Sequence, residues 1–203
     1  MSAQPLEVVS PADTVVALRE RITSMQGGPT RLVVPTHPVL EGLVQLRTGA
    51  SYAVDSATLA LALAAGASRA GEWVGFAGWP DFGAQAAVDL GIDLRRTVLV
   101  PEPGEHWIEV TAALVDVLKV VVLKPATQVD PKSASVLDAR LRARSAALVV
   151  WGDWPRVEAR LSAERVAWHG VDHGHGRLRT REVRVVVRRG GGAPVAREVR
   201  FPG

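Results

Sequence analysis

From about residue 50 onward, short continuous apolar runs alternate with stretches whose apolar positions recur every three or four residues. The runs 52–54, 73–77, 97–100, 120–123 and 147–151 read as strands, and the segments 57–65, 83–90, 108–118 and 134–145 between them read as helices. The strands are apolar throughout rather than alternating, as expected when helices cover both sheet faces. Strand–helix alternation at this spacing predicts an α/β fold with a mostly parallel, doubly wound sheet.

The pattern changes at both ends. Beyond Trp154, the segments 164–168, 178–188 and 195–201 read as strands joined by glycine turns at Gly174, Gly176 and Gly190–Gly192. Val183, Val185 and Val187 alternate with period two, which predicts antiparallel C-terminal strands closing the parallel core. At the other end, Ser10-Pro11-Ala12-Asp13 reads as a helix start, and Gly27-Gly28-Pro29 as its stop. Val15, Leu18, Ile22 and Met25 then form one apolar stripe on a leading amphipathic helix. This divides the chain into an N-terminal helical arm and linker, 1–30, and a core domain, 31–203. The breaker-rich stretch 27–38 reads as the connection between them.

Composition narrows the chemistry. The 203 residues are 47% apolar and 22% charged, which suits a globular domain. No cysteine is present, which removes disulfides, thiolate metal sites and cysteine nucleophiles. The start of the chain shows no leader pattern, and the longest apolar stretch, 59–67, is far short of the roughly 20 residues a spanning helix needs. A cytoplasmic protein without membrane contact is therefore expected. The net charge is only +3, yet eight arginines fall between Arg177 and Arg200. Arg177, Arg179, Arg181, Arg188 and Arg189 are the candidate contacts to a phosphate backbone. A merely solvated strand face is the equal alternative.

Several motifs resemble the RecA recombinase core. The run Gly75-Phe76-Ala77, the following helix, Leu90-Gly91-Ile92-Asp93-Leu94 and Val98-Leu99-Val100 are similar to its second strand, helix and third strand. Pro103-Gly104-Glu105, the next helix and Lys119 to Leu123 resemble its next helix and Walker B strand, and Thr180 to Val187 its later strands. Within that superfamily the chain resembles the actinobacterial ImuA-like group. The residues carrying this are Trp73 to Gly78, Pro80-Asp81-Phe82-Gly83, and Gly174-His175-Gly176-Arg177-Leu178-Arg179. The resemblance spans roughly residues 10 to 203. It implies a RecA-like fold.

The residues that bind and hydrolyse ATP in that superfamily are missing here. A phosphate loop needs Gly-x-x-x-x-Gly-Lys-[Ser/Thr] between the first strand and its helix, so that backbone N–H groups cradle the phosphates. The corresponding segment runs Ser51-Tyr52-Ala53-Val54-Asp55-Ser56-Ala57-Thr58-Leu59, and no lysine occurs before Lys119. Asp55 or Ser56 is expected to cap the helix instead. Aligned with RecA, Lys124 stands where the magnesium-holding acid would be, and Trp79 where the catalytic glutamate would be. Three parts of a phosphoryl-transfer site are absent together, so the expectation is a protein that is not an enzyme and has no cofactor. A non-standard nucleotide site is the alternative.

Two other constellations have a bland and a sharp reading. His169-Gly170-Val171-Asp172-His173-Gly174-His175 offers metal-ligand types, but its glycines between two strands favour a surface turn. Trp79, Trp107, Trp151 and Trp154 could stack bases, although packing as core is favoured. His37 and His106 show no partner pattern and read as surface residues.

The ImuA-like resemblance implies an accessory role in DNA-damage tolerance. Such proteins work with ImuB, an inactive Y-family polymerase relative, and through it with an error-prone C-family DNA polymerase. The other function kept open is a regulator that binds DNA or the RecA filament through the arginine-rich strands. Whether the chain forms a homo-oligomer also stays open.

Overall fold

A computed structural model describes residues 31–172 and 175–202, without the side chains of 169–179. The leading-helix positions Val15, Leu18, Ile22 and Met25 lie outside the described residues, as does the division at residue 30.

Eight strands form one mixed sheet. In chain order the elements after residue 48 are β3 (Ala50–Val54), α1 (Ala57–Arg69), β4 (Val74–Ala77), α2 (Ala84–Asp89), β5 (Thr97–Val100), α3 (Trp107–Val117), β6 (Val120–Leu123), α4 (Pro131–Arg144) and β7 (Ala147–Trp151). The C-terminal strands are β8 (Ala159–Asp172), β9 (His175–Arg188) and β10 (Val195–Pro202). A two-stranded ribbon, β1 (Val33–Val34) with β2 (Leu46–Arg47), precedes them. The sheet order is β10-β9-β8-β3-β7-β6-β4-β5. All pairs from β8 to β5 are parallel, whereas β8–β9 and β9–β10 are antiparallel.

Strand parity shows why the apolar runs are continuous. Val120, Val122, Ala147 and Val149 point into a core with α1, whereas Val121, Leu123, Leu148 and Val150 point into a second core with α3 and α4. Ala87 and Leu90 bring α2 and its end to the first face. The sheet is thus doubly wound, with a buried side chain on either face at nearly every central position.

Three differences from the sequence reading have a local reason. Helix α4 begins at Pro131 rather than 134, because proline is tolerated in the first turn and Asp130 caps it by accepting from the N–H groups of Lys132 and Ser133. Strand β8 is far longer than 164–168. A bulge between Glu164 and Val166, with Arg165 at φ +50°, interrupts the period-two pattern along this strand. Residues 31–38 are not a free linker, since Val34 is buried and His37 donates its backbone N–H to Ala62 O at 2.8 Å. Gly66 in α1 makes room for this segment, because a Cβ there would overlap the backbone of Pro35 and Thr36.

Candidate functional site

In open α/β sheets ligands bind at the carboxyl ends of the strands. Here the carboxyl ends of β3, β4, β6 and β7 lead into Asp55-Ser56, Gly78-Trp79, Lys124-Pro125 and Gly152-Asp153.

The connection from β3 to α1 is only Asp55 and Ser56, and both side chains are engaged. Ser56 caps α1 by accepting from Leu59 N–H at 3.4 Å. The Asp55 carboxylate accepts instead from Ala163 N–H on β8, at 3.0 and 3.1 Å. Of the two residues expected to cap the helix, Ser56 does so, while Asp55 ties two strands together.

The next strand ends are filled by aromatic side chains. Trp79 is 4% exposed and meets Trp151 edge-on, with ring centroids 4.7 Å apart. Phe82 lies 5.4 Å from Trp79 and 4.8 Å from Phe76, which completes an aromatic cluster on the α1 face. Lys124 covers this cluster, with Nζ 4.1 Å from the Trp151 ring centroid and 3.4 Å from Asp81 Oδ1. The lysine is positioned by its backbone, whose N–H donates to Ala77 O at 2.9 Å. Gly78, at φ +74°, permits this crossing, because a Cβ would overlap the Lys124 carbonyl.

The tryptophan set predicted from sequence is divided by the sheet. Trp79 and Trp151 belong to the first core. Trp154 is buried in the second core, its indole N–H 3.5 Å from Asp138 Oδ1, and Trp107 packs against that core as well. They do not share one stacking face.

Of the five candidate arginines, the three whose side chains are described are each tied to a different part of the fold. Arg177 and Arg179 lie in β9, and their side chains are not described. Arg188 is tied to Ser162 Oγ at 3.2 Å and to Glu164 at 3.6 Å. Arg189 donates to the Leu43 carbonyl. Arg181 turns inward, donates from Nη2 to Thr58 Oγ1, and lies 5.3 Å from the Trp168 ring and 5.9 Å from Phe201. Burial makes its guanidinium easier to deprotonate than an ordinary arginine.

The histidines also resolve in part. His37, read as a surface residue, is half-buried. Its Nδ1 accepts from Val39 N–H at 3.2 Å to cap a short 3-10 turn, Pro38–Leu40. Burial, and to a lesser degree the Arg69 cation, lower its pKa below 6.5. His106 is exposed. Strands β8 and β9 extend through Asp172 and from His175, which pair with one another, so the hairpin turn is shorter than the His169–His175 cluster suggested. The side chains of that cluster lie outside the described residues.

Sequence reasoning missed one feature, a pocket of about 310 Å³ between the start of α1, α2 and the β8–β9 hairpin. Thr58, Leu61, Trp79, Trp151, Trp168 and Arg181 are among its lining residues. The parity of Val183, Val185 and Val187 was the available signal, since it places Arg181 on their inward side.

Comparison with known proteins fits this core. A family model described as the MT3502 N-terminal domain matches residues 38–156, from the segment before β2 to just beyond β7. The chain belongs to the MT3502 N-terminal domain family. It is also 35% identical over 162 residues to the uncharacterized protein Rv3395c of Mycobacterium tuberculosis, covering 75% of this chain and 76% of that protein. The matched region holds every strand of the parallel core except β8, and the four α-helices among the described residues.

Proposed function

We propose that this chain is a non-catalytic accessory protein of a DNA-damage-induced translesion-synthesis mutasome, acting by docking to an ImuB-like polymerase relative. The reading rests on the ImuA-like and RecA-like resemblance of the sequence. It is supported by the parallel core closed by antiparallel strands, and by the state of the carboxyl edge.

The observation that carries the non-catalytic part is the two-residue β3–α1 connection. It has no length for a phosphate-cradling loop, and its two side chains already serve the helix and β8. Phosphoryl transfer depends on preplaced donors and magnesium around the phosphates. A lysine paired with Asp81 and an indole stand where the resemblance would place the acids. A RecA-like shell in that state is suited to present surfaces rather than turn over nucleotide. Through ImuB the error-prone C-family polymerase would be reached indirectly, in the cytoplasm. Among the described residues no helix is long and apolar enough to cross a membrane.

Calorimetric titration of the full chain with magnesium–ATP tests the first half. No heat of binding up to millimolar ATP is expected, and a saturable magnesium-dependent site would overturn the reading. Co-expression with an ImuB-like protein tests the second half, with co-purification expected. The alternative, direct binding to DNA or to a RecA filament, would give an affinity that falls steeply with salt, by about 0.9 log units per duplex phosphate contact per log unit of salt. Replacing Arg177, Arg179 and Arg181 together would flatten that slope. The internal ties of Arg181, Arg188 and Arg189 favour the docking reading over this one.

A further inference from the structure

We propose that the pocket beside Arg181 receives one carboxylate from an acidic peptide segment of a protein partner, whose neighbouring apolar side chain lies on the exposed Trp168 ring. The proposal deepens the docking reading above and rests on it.

The first argument is charge. Arg181 is the one cation among the described residues lining the pocket, and both acids there have a hydrogen-bond donor, a cationic one for Asp81 and a neutral amide for Asp89. Asp81 faces Lys124 at 3.4 Å, and Asp89 accepts from the Gln85 amide at 2.8 Å. Arg181 is partly desolvated, and among the described residues a hydroxyl and aromatic rings answer it. A guanidinium withdrawn from water gains most from a carboxylate. A single carboxylate balances this one charge, whereas a doubly charged phosphate would leave a second negative charge uncompensated beside Asp89.

The second argument is geometry. Arg181 Nε is buried and has no hydrogen-bond partner among the described residues. Nε and Nη2 share one edge of the guanidinium, which is a fork that grips a carboxylate side-on. Nη2 now rests on Thr58 Oγ1. A carboxylate that displaces this hydroxyl satisfies both nitrogens at once.

The third argument selects a peptide. Trp168 lines the pocket but remains 49% exposed, and it stands opposite Arg181 in the β8–β9 ladder. The cavity of about 310 Å³ has room for an acidic side chain with part of its neighbour. Covering the outer Trp168 face as well requires a ligand that continues past the pocket mouth, as a polypeptide does. An aromatic ring beside a half-buried arginine is a pair of the side-chain types that dominate docking energies.

The test uses the full chain and two capped tripeptides, acetyl-Phe-Glu-Phe-amide and acetyl-Phe-Gln-Phe-amide. Binding is read from the Trp168 indole N–H resonance, assigned by its loss in Trp168→Ala. The glutamate peptide is expected to give a saturable shift, and the glutamine peptide to bind roughly tenfold more weakly, as a charge-assisted hydrogen-bonded pair implies. Arg181→Gln should remove the difference between the peptides. Thr58→Val keeps the guanidinium but removes its present acceptor, so it should strengthen glutamate binding. Equal binding of the two peptides, no saturable shift at millimolar peptide, or displacement by inorganic phosphate or oligothymidylate would each overturn the proposal. So would an ImuB-like partner that co-purifies equally with wild type and Arg181→Gln. If the glutamate peptide binds as described but no ImuB-like protein co-purifies with wild type, the pocket stands and the choice of partner falls.

Discussion

Gly66→Ala sets helix propensity against packing, and the structure decides the sign. Alanine in place of glycine inside a helix is ordinarily favourable by about 1 kcal/mol. At this position the added methyl overlaps the backbone of Pro35 and Thr36, which cannot rotate away as a side chain would. Overpacking of this kind costs about 1–3 kcal/mol, and more when backbone must move. Displacing residues 35–36 also weakens the His37 N–H to Ala62 O hydrogen bond, at a cost of about 1 kcal/mol, and loosens the buried Val34. The net expectation is a loss of about 1–3 kcal/mol, seen as a Tm lower by roughly 2–12 °C for a unit of this size. Thermal and urea unfolding of the full chain measure it. Gly83→Ala is the control, since its methyl meets only Ala86 Cβ at 3.7 Å, and its effect should stay within about 1 kcal/mol. A Gly66→Ala protein as stable as wild type would refute the packing of residues 35–36 on α1, and with it the inclusion of this segment in the core.

Three further outcomes follow from the site. Lys124→Asp removes the cation over Trp151 and sets a second carboxylate near Asp81, so stability should fall by about 1–2 kcal/mol while ATP turnover stays at background. Measurable hydrolysis by that variant would mean that the β3–α1 turn can hold phosphates after all. His37 has a folded-state pKa lowered from 6.5, so its neutral form is favoured by folding. Its stabilising contribution is present above pH 6.5 and is lost as pH falls from there towards the folded value, a loss that His37→Asn should flatten in melts between pH 7.5 and 5. Trp168→Ala removes a half-exposed ring, so melting should change little even where peptide binding is lost.

How much of this was legible in the sequence depended on how each residue is buried. The strands β3, β4, β6 and β7 were legible because burial on two faces writes unbroken apolar runs such as Val120 to Leu123, and the edge strand β5 was legible from its apolar run Val98-Leu99-Val100. The closed β3–α1 turn was legible too, since a missing loop is visible as missing residues. The role of residues 31–38 was not, because their prolines, following Gly27-Gly28-Pro29, read as a linker. Only the distant Gly66 reveals that this stretch lies against α1. The bulge at Arg165 hid the length of β8, since one extra residue inverts the alternation by which a strand is recognised. Arg181 was legible as a cation but not as an inward one. Its burial depends on pairing with Trp168 across the hairpin and on Thr58 in a helix more than a hundred residues earlier.

The central claim is that a core whose carboxyl edge is closed by its own side chains serves as a docking protein. The measurement that meets it most directly is the affinity of the purified full chain for a purified ImuB-like polymerase relative, taken with and without magnesium–ATP. The account predicts a defined complex whose dissociation constant is the same in both conditions. No complex with that partner, or a complex that forms only with ATP, would contradict it.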